Sequence, residues 1–178
     1  AGNYLVEYRA EELRGLQSAL LSSYTDPITI VSWGDVVWGE NLTYDLAHNF
    51  NILPDAGKPN LSQVKKLWRF TGEEFNSPNL LGWDVSNVEN ISFRGARAFN
   101  QNLGVWKLKK CKTLDLCNTA LSKENYSAAL IAWAAQADIA TGVELNATGL
   151  SYSAESVAAR EKLIKERKWV ICGDIQQT

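Results

Sequence analysis

A chain of 178 residues can bury one sizeable core but hardly two, and 46% apolar with 21% charged residues is ordinary globular usage, which excludes global disorder. Twenty acidic side chains against eighteen basic ones leave a net charge of −2, without the basic excess of a phosphate-tracking surface, so nucleic acid is not an expected partner. No apolar run approaches the roughly 20 residues of a membrane-spanning helix, and Ala1 is followed by no charged-then-apolar leader, so any targeting segment is expected to have been trimmed.

Taken in chain order, Leu13, Leu16, Leu20 and Leu21 recur at helical spacing behind Glu11 and Glu12, which predicts an amphipathic helix over residues 10–23. Asp26-Pro27 ends it. Ile28, Ile30 and the β-branched and aromatic segment 31–38 then predict one or two strands. Tyr44, Leu46, Asn49 and Phe50-Asn51 read as a worn first copy of a repeat that becomes clear downstream.

That repeat has an offset of 23 residues. Trp68, Ile91 and Leu114 fall on it, as do Phe70, Phe93 and Leu116, giving three apolar-x-apolar strands with one buried face. Gly72, Gly95 and Asn118 share the offset and favour a left-handed backbone, so each strand is expected to end in the same bend. Leu80 matches Leu103, Trp83 matches Trp106, Val85 matches Leu108 and Val88 matches Cys111. Phe75-Asn76 and Phe99-Asn100 lie 24 apart, which places one extra residue before Phe99 in the connecting arc. One such unit cannot bury its apolar side alone, whereas stacked units form a ladder, here of Trp68, Ile91 and Leu114. The outward side chains of the same strands are Leu67, Arg69 and Thr71, then Asn90, Ser92 and Arg94, then Thr113, Asp115 and Cys117.

Downstream, Ser122 caps a predicted helix with Tyr126, Ala129, Leu130 and Trp133 on one side. Val143 and Leu145 predict a strand, Ser153 to Ile164 a second helix, and Trp169 to Cys172 a final strand. The expected fold is therefore α/β (α+β). One domain comprises an N-terminal cap (1–60), a leucine-rich-repeat-like stack of about three 23-residue units with short parallel strands (61–121), and a C-terminal αβαβ cap (122–178).

Signals for chemistry are weak. His48 is the single histidine and no Gly-x-Ser-x-Gly elbow is present, so no nucleophilic triad is expected. Glu73, Glu74 and Asp84 read as solvated surface rather than a glycosidase pair. Cys111, Cys117 and Cys172 form an odd, sparse set, read as buried thiols without a disulfide framework or metal spacing. Neither a catalytic residue nor a cofactor or metal is assigned. Of seven tryptophans, Trp68, Trp83, Trp106, Trp133 and Trp169 hold packing positions, while Trp33 and Trp38 are left as a possible sugar-stacking platform.

Phe75-Asn76, the run Leu81-Gly82-Trp83-Asp84-Val85-Ser86-Asn87-Val88, and Ala98-Phe99-Asn100-Gln101-Asn102-Leu103 with Trp106 resemble the repeat of the BspA-like bacterial surface proteins. Asn125-Tyr126, Leu130 to Gln136, Tyr152-Ser153-Ala154, Ala158-Ala159-Arg160 and Trp169-Val170-Ile171 resemble the segment that closes such arrays, so the likeness covers about residues 68–175. The chain departs from that pattern in having about three copies and no methionine. The resemblance implies a surface-exposed or secreted leucine-rich-repeat protein, as family members are, often lipid-anchored and without catalytic residues, some of them adhesins that bind host or matrix proteins. The expected function is thus recognition of a host, matrix or other surface protein through Arg69, Asn90, Ser92, Arg94, Thr113 and Asp115. A carbohydrate-binding module and a structural spacer of a longer surface protein are the alternatives.

Overall fold

The computed structural model describes residues 28–34, 38–43, 50–68 and 74–177. The helix expected over residues 10–23 lies outside them, as do Tyr44, Leu46, His48, Asn49, Arg69, Phe70, Thr71, Gly72 and Glu73.

The described strands are short, and every pairing between them is parallel. In chain order they are β1 (Ile28–Ile30), β2 (Asn41–Thr43), β3 (Phe50–Ile52), β4 (Lys66–Trp68), β5 (Asn90–Ser92), β6 (Thr113–Asp115), β7 (Glu144–Asn146), β8 (Ser151–Tyr152), β9 (Val170–Cys172) and β10 (Ile175–Gln176). Six of them, β2-β4-β5-β6-β7-β9, form one sheet whose spatial order is the chain order, while β1 pairs with β3 and β8 with β10. Parallel neighbours need a crossover between them, so the chain winds as a coil that lays down one sheet strand per turn.

Register identifies the repeating position. Leu42 pairs with Leu67, Leu67 with Ile91, Ile91 with Leu114, Leu114 with Leu145 and Leu145 with Ile171. Leu67, Ile91, Leu114 and Leu145 are all essentially inaccessible, and burying each contributes about 1.5–3 kcal/mol. This corrects the expected ladder. Leu67 is the core residue of β4, and Trp68 points outward with 40% of its surface exposed. The turns are 24 and 23 residues long from Leu67 to Ile91 to Leu114, so the extra residue is not inserted before Phe99. It lies in the earlier turn, where Phe75 and Leu80 are one residue further apart than Phe99 and Leu103.

Three residues ahead of Leu67, Ile91 and Leu114, and six ahead of those and of Leu145, further apolar side chains are buried: Val64, Val88 and Cys111, and Leu61, Val85, Leu108 and Ile139. In the first two turns a backbone bond closes each pair, Val64 N–H to Leu61 at 3.0 Å and Val88 N–H to Val85 at 2.9 Å. Four residues beyond the ladder, Gly95 (φ +78), Asn118 (φ +56) and Gly149 (φ +90) carry the expected left-handed bend.

The connecting arcs differ from turn to turn. In two turns the arc is a short 3-10 segment, Pro78–Gly82 and Leu103–Val105, and in the next two it is a helix, α1 (Lys123–Ala135) and then α2 (Val157–Arg167). As expected, the Ser122 hydroxyl caps α1 by accepting the Asn125 N–H at 3.2 Å, and Tyr126, Ala129, Leu130 and Trp133 are buried. Lys168 ends α2 in a left-handed conformation (φ +60). Because β7 and β9 continue the same sheet, the segment expected to be a separate αβαβ cap supplies two more turns of the coil.

Two side-chain ladders tie the arcs together. The Phe-Asn motif builds the first: Asn76 Oδ1 accepts the Asn100 N–H at 2.8 Å, and Asn100 Oδ1 accepts the Ser122 N–H at 2.8 Å. Gln101 and Asn125 amides reinforce the same two asparagines. Tryptophans build the second, each indole N–H donating to a carbonyl of the preceding turn: Trp106 to Leu80 at 2.9 Å, Trp133 to Leu103 at 3.1 Å and Trp169 to Ala140 at 2.8 Å. The apolar interior runs as one cluster from Trp33 to Trp169. Trp33 and Trp38 belong to it, at 4% exposure each, and so form no exposed platform.

Candidate functional site

In β4, β5, β6 and β7 the ladder residue is buried in the core, and its two neighbours lie on the other side of the strand. The register therefore builds two outward rows. Lys66, Asn90, Thr113, Glu144 and Val170 make one, and Trp68, Ser92, Asp115, Asn146 and Cys172 make the other. Asn90, Ser92, Thr113 and Asp115, expected from sequence to share a surface, are brought together here, and Arg94 follows in the bend with 63% of its side chain exposed.

Local chemistry holds the rows in place. The Thr113 hydroxyl donates to Asn90 Oδ1 at 2.9 Å across β5 and β6, and Arg94 reaches Asp115 at 3.5 Å. In the second row the side chains also shape the bends, since Ser92 accepts the Arg94 N–H (3.4 Å), Asp115 the Cys117 N–H (3.0 Å) and Asn146 the Thr148 N–H (3.2 Å). Ser92 is consequently only 9% exposed, and it contributes more to the bend than to the surface. At the rim where the strands begin, Lys112 pairs with Glu89 at 2.6 Å. The hydrogen bond from Lys112 and the charges of Lys112, Lys65 and Lys110 hold the Glu89 carboxyl below its ordinary pKa.

Three expectations for this face are corrected. Leu67 is core rather than surface, displaced by the one-residue register difference described above. Cys117 is buried as well. Trp68, Lys66, Glu144 and Asn146 belong to the face and were not foreseen; the signal for Lys66, Glu144 and Asn146 is a polar residue flanking the ladder position, which the 23-residue offset obscured in β4. Arg69 lies outside the described residues.

The cysteines are free: Cys111 and Cys117 are buried as expected, whereas Cys172 is exposed on β9. Burial pushes the Cys111 thiol up to about 12. Among the described residues no group of three His, Cys, Asp or Glu side chains is placed to hold a metal ion, and no helix is long and apolar enough to cross a membrane. A groove of about 470 Å³ is lined by Lys123, Glu124, Ser127 and Glu155 among others. Its Ser127 hydroxyl accepts the Ser153 N–H at 2.8 Å, a structural bond between α1 and the turn before α2.

Residues 41–133, just over half of the chain, match the family described as "Mycoplasma protein of unknown function, DUF285". The chain belongs to the DUF285 family. The match starts at β2 and ends within α1, so the DUF285 segment contains strands β2 to β6, both asparagine steps of the arc ladder, and the indoles of Trp83, Trp106 and Trp133. Comparison with curated proteins and with solved structures gives no match.

Proposed function

We propose that this DUF285 chain is a non-enzymatic recognition domain, displayed on a cell surface or secreted, that binds a protein partner through the outward face of its six-stranded sheet. One observation carries the reading: an in-register parallel sheet presents Asn90, Thr113, Asp115 and Arg94 side by side to solvent while its other side is sealed into the core. A continuous sheet face of this kind suits broad, shape-based contact with another protein. Arginine is also among the residues that dominate binding energy at interfaces.

The coil supports the finer reading of kinship with BspA-like leucine-rich-repeat proteins, since the resembling motif residues Phe75-Asn76, Trp83, Phe99-Asn100 and Trp106 occupy equivalent places in successive turns. The carbohydrate alternative loses Trp33 and Trp38, which are core residues. The test is binding of the purified chain to immobilised extracellular-matrix and serum proteins, with an Arg69→Ala/Arg94→Ala double variant alongside. A protein ligand held by the wild type and released by the variant is expected; a ligand held equally by both would sink the assignment of the arginines to the contact.

A further inference from the structure

We draw no further inference here: the strongest candidate, the open edge of the six-stranded sheet at β9, where Val170 and Cys172 are exposed, carries nothing because nothing in the structure shows what covers it.

Discussion

Individual side chains in this coil often serve the turn before their own. An indole N–H buried beside Leu80 or Leu103 adds a second donor to a carbonyl that already accepts the backbone N–H of Trp83 or Trp106, and the ring fills the space between turns. Replacing Trp133 with Phe removes the donor and part of the buried ring volume, while the Leu103 carbonyl keeps the Trp106 N–H at 3.0 Å. Loss of about 1–3 kcal/mol is expected in urea unfolding, and an unchanged midpoint would mean that the bond is dispensable. Cysteine chemistry offers a second reading at this scale. With Cys111 and Cys117 buried and Cys172 exposed, a thiol reagent near pH 8 should modify one cysteine of the folded chain rapidly and the other two only after denaturation. The high pKa of Cys111 adds to its protection, since the thiolate is the reactive form.

At the level of the repeating element, backbone conformation and close packing make separable demands on glycine. Gly95 sits at φ +78 with open space where a Cβ would project, so Gly95→Ala reads the left-handed conformation alone, about 1–2 kcal/mol. At Gly104 a Cβ would come within 2.7 Å of the Ala132 Cβ and 3.1 Å of the Ala129 Cα on α1, so Gly104→Ala instead overpacks the α1 contact, by about 1–3 kcal/mol. Thermal unfolding of the two variants checks both, and the Gly104 variant should be partly rescued by Ala132→Gly while the Gly95 variant should not. Gly95 was legible in sequence because its requirement is local and recurs at Asn118. Gly104 was not, because what it must accommodate comes from a helix further along the chain. The same limit explains β4. Leu67 and Trp68 are adjacent apolar residues, and a fixed offset carried back from Trp83 and Trp106 crosses the one-residue difference between the arcs, which shifts the apparent core from Leu67 to Trp68. Phe-Asn, spaced 24 apart, held the correct register, because the asparagine ladder requires it.

For the molecule as a whole, the consequence of winding is that the last turns depend on the ones before them, and the end of the chain is fastened by charge. Asp174 accepts from the Tyr126 hydroxyl (2.9 Å) and from Arg160 at two nitrogens (2.8 and 2.6 Å), with its side chain fully inaccessible and Arg160 lying over the Tyr152 ring. Asp174→Ala would strand a largely covered guanidinium, at a cost of about 3–5 kcal/mol. Limited proteolysis should then open the chain beyond α1 before the earlier turns; uniform loss of all turns at once would instead mark the coil as a single cooperative unit. The outward side of the sheet is held in place by its own side-chain bonds and faces away from the core. That is the physical basis for assigning recognition to Asn90, Arg94, Thr113 and Asp115.

The most direct measurement of that central claim blocks the face sterically and leaves the fold alone. In a Cys172→Ser background, Thr113→Cys and Lys162→Cys place a single accessible thiol on the sheet face or on the exposed side of α2, and each is coupled to a bulky maleimide before binding to the protein ligand found on the matrix and serum panel. Binding abolished by the label at position 113 and retained with the label at 162 is the predicted result. Binding that survives the label at 113, or that is lost only with the label at 162, would contradict the sheet face as the recognition surface.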